Sequence, residues 1–285
     1  MKVLVCGGTG MLGSEVVLAA GNAGHAVRGF DRIELDVTDA ERLIDKIGLE
    51  RPDAVVNCAG MGDVDEAEAN PDLAMELNAT AAGNVARAAA EVEAKVVYVS
   101  SAYIFDGSKG APYVESDLPA PLSAYGRSKL AGEEATMLAN PRTHVVRTSW
   151  IYGINGPNFV DSMLRYGRQE GRVLVIRDQY GSPTWTWHLA YGITRLLDSN
   201  EFGVHHMAAD GYCSFYDFAR EMFELAKMEV VTLSASADML GRVAPRPAFA
   251  GLTTEEPDAI LLPAWQDGLT GYLAQRFERD AKQES

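Results

Sequence analysis

Cysteine is scarce in this sequence. The three cysteines, Cys6, Cys58 and Cys213, are odd in number and widely spaced, which excludes a disulfide framework and a paired-cysteine zinc site. We expect free thiols in a reducing compartment and no bound metal. Long apolar runs are also lacking, since no stretch approaches the roughly 20 residues that cross a bilayer, and no secretory signal pattern opens the chain. These absences predict a cytoplasmic protein with no membrane partner.

Positive charge is scarce as well. The 285 residues include 25 Lys and Arg against 40 Asp and Glu, a formal net charge of −15 at pH 7. Such an excess of acid argues against nucleic-acid and anionic-membrane partners, which are bound through cations that meet phosphates. Apolar residues, by contrast, make up 47% of the chain, so we expect a folded core.

Short apolar runs alternate with amphipathic or alanine-rich stretches in the first half. This alternation is typical of an α/β fold, a doubly wound parallel sheet (Rossmann-like) with helices on both faces. The predicted strands are Lys2–Cys6, His25–Phe30, Ala54–Asn57, Lys95–Ser100, His144–Arg147 and Arg172–Ile176. The predicted helices are Met11–Ala23, Asp39–Ile47, Asp72–Val92 and Ser123–Leu138.

Beyond residue 150 the pattern loosens into longer loops, rich in glycine, proline and aromatic residues. We expect residues 1–150 to form the main domain, and residues 151–285 to form a smaller lobe that is interwoven with it. Helices in this lobe are predicted at Asn158–Gln169, Thr186–Leu197, Ser214–Leu225 and Ala264–Phe277.

A glycine-rich turn follows the first predicted strand and opens a helix. Glycines at this spacing permit a tight turn and let the backbone approach a pyrophosphate, while the helix N-terminus offers free N–H groups and partial positive charge. A tight turn without a ligand is the alternative, but the position after the first strand favours dinucleotide binding. The turn residues predicted to bind the cofactor are Gly7, Gly10, Met11, Leu12 and Gly13.

The residue that contacts the cofactor ribose should end the second strand, about 20 residues further on. Asp31 and Arg32 lie there. An acid favours NAD and an arginine tolerates the 2′-phosphate of NADP, so NADH and NADPH both stay open. Asp36 is a second candidate, and a turn before the next helix is its equally weighted alternative. The predicted cofactor site is completed by Val37, Cys58, Ala59 and Gly60.

Tyr125 and Lys129 stand at positions i and i+4 of a predicted helix and therefore share one face. A phenol with a pKa of about 10 is a poor acid near neutral pH, and a neighbouring ammonium lowers that pKa. Such a pair can protonate a carbonyl oxygen as hydride arrives. Ser101, at the end of the fourth strand, offers a hydroxyl to the same oxygen. A helical surface pair and a strand-end cap are the alternatives.

The glycine turn, the strand-end serine and the Y-x-x-x-K pattern together resemble the extended short-chain dehydrogenase/reductase superfamily. More narrowly, the chain resembles the dTDP-4-dehydrorhamnose reductase family over nearly its whole length. The blocks that carry this resemblance are Pro52–Ala59, Val64–Glu68, Glu76–Asn78, Tyr103–Gly107, Arg147–Gly153, Asn158–Val160 and Asp178–Thr184.

The resemblance implies an NAD(P)H-dependent reductase of the 4-keto group of a nucleotide-linked 6-deoxyhexose. The first domain would then bind the cofactor and carry catalysis, the second lobe would bind the nucleotide sugar, and a homodimer is a further expectation. The site residues it implies are Ser101, Tyr125 and Lys129 for catalysis, Asn78 with Tyr125 and Lys129 at the cofactor, and Tyr103, Trp150 and Arg246 at the substrate, with Arg246 near its diphosphate.

The sequence departs from this family near the substrate. Ala102 stands where the family usually has Asp, Gly60–Asp63 replaces its Ala-Tyr-Thr block, and one arginine of its Arg-Arg-Pro motif is missing before Arg246. The catalytic residues are retained while the pocket is altered, so the sugar, its stereochemistry and its nucleotide stay open.

Two other functions remain open. One is an NAD-dependent sugar-nucleotide epimerase or dehydratase, against which Ala102 speaks, because a dehydratase would be expected to carry an acid there. The other is a non-catalytic regulatory subunit that resembles the subunit of methionine adenosyltransferase. The complete Ser–Tyr–Lys set argues against a pure binding protein.

Overall fold

Strands and helices alternate through the computed structural model, which describes residues 1–283. The last two residues of the predicted second lobe lie outside the described residues. The strands are β1 (Lys2–Cys6), β2 (Ala26–Phe30), β3 (Ala54–Asn57), β4 (Lys95–Ser101), β5 (Thr143–Thr148), β6 (Ile151–Tyr152), β7 (Arg172–Ile176), β8 (Tyr180–Gly181), β9 (Thr184–Trp185), β10 (Gly203–His206), β11 (Ala209–Asp210), β12 (Cys213–Ser214), β13 (Val231–Ala235), β14 (Phe249–Ala250) and β15 (Leu262–Ala264). The helices are α1 (Met11–Asn22), α2 (Ala40–Glu50), α3 (Val64–Ala69), α4 (Pro71–Met75), α5 (Ala81–Ala90), α6 (Ala124–Ala139), α7 (Phe159–Glu170), α8 (Thr186–Leu197), α9 (Phe215–Leu225) and α10 (Trp265–Gln283).

Six parallel strands form the central sheet, in the order β10-β5-β4-β3-β1-β2. The chain runs first from β1 to β2 and then returns to β3 on the other side of β1, so the predicted doubly wound, Rossmann-like α/β fold is confirmed. A crevice opens at such a reversal, beyond the carboxyl ends of the strands. Cys6 ends β1 and Asn57 ends β3 as register partners, so the loops that follow them face this crevice.

Side chains along β1 alternate between two apolar layers, as the pleat of a strand requires. Val3 and Val5 pack in the layer that holds α1 and α8, whereas Leu4 and Cys6 pack in the layer that holds α2 and α5. Because both faces are covered, such a strand is a continuous apolar run in the sequence. This is why the bounds of β1 and β3 could be predicted to the residue.

Several features differ from the sequence prediction. The predicted helix Asp72–Val92 is divided into α4, a π-helical turn at Glu76–Thr80, and α5. The predicted strand Arg172–Ile176 forms, but it pairs with β13 in a separate two-stranded sheet. The edge strand β10 was not predicted, because Gly203–His206 is short and weakly apolar, and it joins the central sheet from the second half of the chain. Within residues 1–283, no helix is long and apolar enough to span a membrane.

Candidate active site

Ser101, Tyr125 and Lys129 meet at the carboxyl edge of the sheet. The Ser123 hydroxyl accepts a hydrogen bond from the Gly126 N–H at 3.1 Å and so caps the start of α6. This start places Tyr125 in the first turn and Lys129 one turn later. Ser101 ends β4, where its hydroxyl accepts from the Tyr103 N–H at 3.2 Å and also neighbours Tyr125. The structure therefore brings together the three residues predicted for catalysis.

The electrostatics of Tyr125 differ from the sequence expectation. Burial raises the pKa of this phenol, and the neighbouring Ser101 hydroxyl offsets only part of the increase. The spacing of Tyr125 and Lys129 predicted a pKa lowered by the ammonium, and that prediction is wrong for this structure. The reason is that the Lys129 ammonium points toward the sheet, where it donates to the Val99 carbonyl at 2.5 Å.

Lys129 is a buried cation. Its ammonium lies 4.4 Å from the centre of the Tyr98 ring, and its residue is only 7% exposed. Desolvation lowers the pKa of Lys129 to about 8, against an opposing effect of Glu133. A lysine that titrates this close to neutral pH is typical of functional sites.

Sequence reasoning missed the ion pair between Glu133 and Arg147 behind this lysine. The Arg147 guanidinium donates to the Glu133 carboxylate through Nη2 at 2.8 Å and Nε at 3.0 Å, and the Ser100 hydroxyl donates to it at 2.5 Å. The signal that could have found Glu133 is its position, four residues after Lys129 on the same helix face.

Asn78 lies in the π-helical turn and does not contact Lys129 by a side-chain hydrogen bond in the described structure. Its amide accepts from the Met61 N–H at 2.8 Å and donates to the Met61 carbonyl at 3.1 Å. It also donates to the Ser128 hydroxyl at 2.9 Å. Asn78 thus fastens the loop after β3 to α6, and a Cβ on Gly60 in this loop would lie only 2.5 Å from its amide oxygen.

The glycine turn fits a cofactor pyrophosphate. Gly7 has a left-handed φ of 71°, and a Cβ there would lie 2.9 Å from the Ala59 nitrogen, while one on Gly13 would lie 2.1 Å from the Gly7 oxygen. Because Gly7 lacks a Cβ, the turn can lie close against the loop after β3, and because Gly13 lacks one, α1 can begin close to Gly7. Gly10 caps α1 without any side-chain acceptor, and the first turn holds no acidic residue, which suits an anion. The Leu12 side chain is buried in the core.

Asp31, Arg32 and Asp36, which were predicted to contact the cofactor ribose, follow β2. Asp31 accepts from the Ile33 and Glu34 N–H groups at 2.9 and 2.8 Å, and Arg32 is largely exposed beside Asp36, at 3.3 Å. Asp36 makes a turn by accepting from the Thr38 N–H at 3.0 Å. An acid and an exposed arginine therefore follow β2 side by side, the two residue types that favour NADH and NADPH respectively.

Two further predicted cofactor residues differ in their surroundings. Val37 is buried in the core beside α2, whose N-cap is Asp39 and not Asp36. Cys58 lies close enough to Lys129 for the ammonium to oppose the rise in its thiol pKa, which burial takes to about 12. The loop after β3 therefore adjoins both the glycine turn and the active-site lysine.

Of the predicted substrate residues, Tyr103 lies beside Tyr125, and Trp150 lies close to Tyr103. The Tyr103 ring stands edge-on to Tyr125, with 6.0 Å between ring centres. Trp150 has a φ of 45°, a left-handed conformation that is rare for a residue other than glycine and typical of functional sites. Its indole stacks on Phe215, with 3.6 Å between ring centres and 12° between planes.

Two arginines lie near Tyr103. Arg246 forms a bidentate ion pair with Asp65, at 2.8 and 3.0 Å, and this pair holds the pKa of Asp65 at about 2. Arg242, which sequence reasoning missed, lies near enough to affect Tyr103 and Asp65, and burial and Arg246 lower its pKa. The structure thus supplies a second arginine where the sequence motif had lost one.

A doubly wound sheet with a glycine turn and a Tyr–Lys helix defines an extended short-chain dehydrogenase/reductase. The sequence profile described as "RmlD substrate binding domain" matches residues 1–277. The chain therefore belongs to this family, the dTDP-4-dehydrorhamnose reductase family, as its motifs predicted.

Known members are similar over nearly the whole chain. A dTDP-4-dehydrorhamnose reductase from Streptomyces griseus is 38% identical over 87% of this chain and 84% of its own length. The spore coat polysaccharide biosynthesis protein SpsK from Bacillus subtilis is 35% identical over 96% of this chain and 98% of its own. The crystal structure of dTDP-4-dehydrorhamnose reductase from Bacillus anthracis in complex with NADP superposes with a TM-score of 0.94 at 34% identity, over 96% of this chain and 99% of that one.

Proposed function

We propose that the protein is an NAD(P)H-dependent reductase of the 4-keto group of a nucleotide-linked 6-deoxyhexose. The observation that carries this proposal is the meeting of Ser101, Tyr125 and buried Lys129 beside the crevice of the sheet. The dTDP-4-dehydrorhamnose reductases among its relatives support the substrate class. Ala102, which is fully buried, leaves no acid at the position where a dehydratase would need one.

The residues of the crevice fit a nicotinamide dinucleotide. The backbone of Gly10 to Gly13 would hold the pyrophosphate, and Asp31, Arg32 and Asp36 would lie at the ribose. NADPH or NADH supplies hydride to the sugar C4 when it is bound, and the NADP complex of the Bacillus anthracis relative supports this cofactor class.

The chain itself provides the proton and polarises the carbonyl. Tyr125 donates its phenolic proton to the substrate oxygen, while the Ser101 hydroxyl donates a hydrogen bond to the same oxygen. The raised pKa of Tyr125 keeps the phenol protonated, as a proton donor needs. For Lys129 to stabilise the phenolate that remains, its ammonium must turn from the Val99 carbonyl toward Tyr125, where a nearby positive charge favours the charged form of tyrosine.

The test is oxidation of NADH and NADPH with dTDP-4-keto-6-deoxyglucose and related sugar nucleotides. We expect stoichiometric oxidation by the wild-type protein. Tyr125→Phe should reduce kcat by roughly 10²–10⁴-fold while cofactor affinity is retained. An epimerase would leave the reduced cofactor unconsumed. Co-purification of a partner enzyme, with no oxidation on any of these sugars, would instead indicate a regulatory subunit.

We assign the substrate diphosphate to Arg242 as well as Arg246. The charge of Arg246 is already matched by Asp65, whereas no described residue forms an ion pair with Arg242 within 4 Å. Arg242→Ala should raise KM for the sugar nucleotide by about tenfold or more at nearly unchanged kcat, because a charge-assisted hydrogen bond is lost. Arg168→Ala, on α7, is the matched control, and an equal rise in KM there would contradict the assignment.

The remaining expectations are proposals of the same kind. We place the protein in the cytoplasm, assign substrate binding to a lobe formed by residues 151–285, and expect a homodimer. Light scattering at working concentration tests the dimer against the 30.8 kDa mass of one chain.

A further inference from the structure

Tyr125, Lys129 and Glu133 follow one another at four-residue spacing along α6, so they share one helix face. This face is turned inward, and Glu133 is only 1% exposed. A carboxylate is rarely buried this deeply unless other groups pair with it. Its place directly behind the active-site lysine raises the question of what it does there.

The Glu133 carboxylate connects α6 to two strands of the sheet. Arg147 of β5 donates to both carboxylate oxygens, and Ser100 of β4 donates to one of them. Ser100 directly precedes Ser101, the predicted carbonyl donor. The same carboxylate therefore fixes the strand end that carries Ser101 against the helix that carries Tyr125 and Lys129.

The ion pair has a direction. Arg147 joins the pair from β5 and extends its Nη1 to 3.5 Å from both His206 Nε2 and the Glu115 carbonyl oxygen, whereas Glu133 shares its helix face with Lys129. The negative end of the pair thus lies on the side of Lys129. In agreement with this, Glu133 raises the pKa of Lys129 against the larger effect of desolvation.

The other groups around Lys129 are neutral in the working pH range. Burial raises the pKa of Tyr98 of β4 well above its usual value, and it raises that of Tyr125 as well. The thiol of Cys58, in the loop after β3, has a pKa of about 12. Among the described residues that shift the lysine, Glu133 is therefore the one that carries negative charge near neutral pH.

We propose that Glu133 is a positioning residue, whose ion pair with Arg147 holds a fixed negative charge behind Lys129 and keeps that buried ammonium protonated during catalysis. The link to catalysis rests on the reductase function proposed above. The charge effect itself does not, and it can be measured separately.

The direct experiment is Glu133→Gln, read by two pH titrations. NMR of isotope-labelled lysine side chains, with the Lys129 signal assigned by its loss in Lys129→Arg, follows the protonation of Lys129 itself. We expect its midpoint, near pH 8 in the wild type, to fall by about one pH unit or more. The alkaline limb of kcat/KM should move by the same amount, while activity well below that limb changes much less.

A second variant separates the charge of Glu133 from an unpaired Arg147. Removing one partner of a buried pair leaves an uncompensated charge that can itself repel the lysine or prevent folding, whereas removing both does not. Glu133→Gln combined with Arg147→Met should therefore fold and still show the lowered Lys129 midpoint. Ser100→Ala, which removes a hydrogen bond but no charge, should leave that midpoint unchanged.

The results of these titrations distinguish an electrostatic role of Glu133 from a structural one. A midpoint that returns to the wild-type value in the double variant would mean that Glu133 only neutralises Arg147, and it would overturn the proposal. An activity loss that is equal at every pH, with no NMR shift, would leave a purely structural role. If the NMR midpoint shifts although no sugar nucleotide is reduced, the charge effect stands and the proposed reductase function fails.

Discussion

Two buried lysines lie at opposite ends of the same strand and have different surroundings. Lys95 begins β4 and donates to the Leu197 and Ser199 carbonyls at 2.8 and 2.7 Å, where α8 ends. Lys129 packs at the carboxyl end of β4, against one carbonyl, an aromatic ring and, further off, the Glu133 carboxylate. Desolvation lowers the pKa of both lysines.

The difference shows that a lowered pKa of a buried lysine is not by itself evidence of catalysis. Lys95 satisfies the last carbonyls of a helix, whose C-terminus carries partial negative charge, and its neighbours His144 and His205 belong to the same end of the sheet. Lys129 instead lies one turn after Tyr125 on α6, at the end of the sheet where β4 finishes in Ser101. The partners, and the end of the sheet at which they gather, distinguish a structural cation from a functional one.

The largest expected effect separates the two lysines by activity. Lys129→Met should reduce kcat/KM by roughly 10²–10⁴-fold, because the cation proposed to stabilise the phenolate is removed. Lys95→Met should leave the activity of the folded protein unchanged. Steady-state kinetics on both variants measure this contrast, and a comparable activity loss in Lys95→Met would contradict it.

The next largest effect is on the folding stability of the Lys95 variant. Lys95→Met leaves the Leu197 and Ser199 carbonyls without their donor, so it should reduce the free energy of unfolding by about 1–3 kcal/mol. Urea denaturation gives this value. The matched control is Lys46→Met, which removes a partly exposed lysine from α2 whose ammonium lies 3.8 Å from the Glu50 carboxylate, and a loss of the same size there would remove the distinction.

A smaller effect concerns pH at the amino end of the sheet. His144 Nδ1 lies 3.1 Å from His205 Nε2, and burial, with contributions from His205 and Lys95, lowers the pKa of His144 to about 4. The unfolded chain binds this proton near pH 6.5, so folding stability is present above that pH and is lost as the pH falls from 6.5 toward 4.

His144→Gln tests this dependence. Its free energy of unfolding should fall less steeply over that interval than the wild-type value, by up to about 3 kcal/mol in total. Denaturant titrations at several pH values measure the slope, and parallel curves for the two proteins would refute the assignment. The amino end would then respond to acid through stability, and the carboxyl end to alkali through activity.

The smallest expected effect is that of salt. A chain with a net charge of −15 should bind a diphosphate substrate through local groups, such as the N–H groups of the glycine turn and a few placed arginines, against an unfavourable overall field. Raising ionic strength through the Debye-screening range should therefore hardly slow substrate capture. A steep fall of kcat/KM with salt would contradict this view.

Short-range patterns predicted most of the scaffold. The strand β1, the glycine turn and the start of α6 depend on residues that are neighbours in the chain, so their positions could be inferred directly. The π-helical turn at Asn78 could not, since it follows from hydrogen bonds to Met61 and Ser128, 17 and 50 residues away. The same holds for β10, which is a strand because β5 offers it an edge.

The residues of the candidate active site likewise fall into those that could be predicted from the sequence and those that could not. Ser101, Tyr125 and Lys129 were found from a strand end and a helix spacing, whereas Arg242 and the Glu133–Arg147 pair were missed because their partners come from other elements. The direction of the pKa shift of Tyr125 could not be predicted from the sequence either, because it depends on how deeply the phenol is buried.

The amino-acid sequence by itself determined the fold class, the family and the identity of the groups able to do chemistry, because periodicity, caps and motifs are properties of adjacent residues. Only the tertiary structure decided the charge environment of those groups. It paired Arg246 with Asp65, directed Lys129 to Val99, and set Glu133 behind it. Such effects depend on distance and desolvation, which arise when segments far apart in the chain pack together.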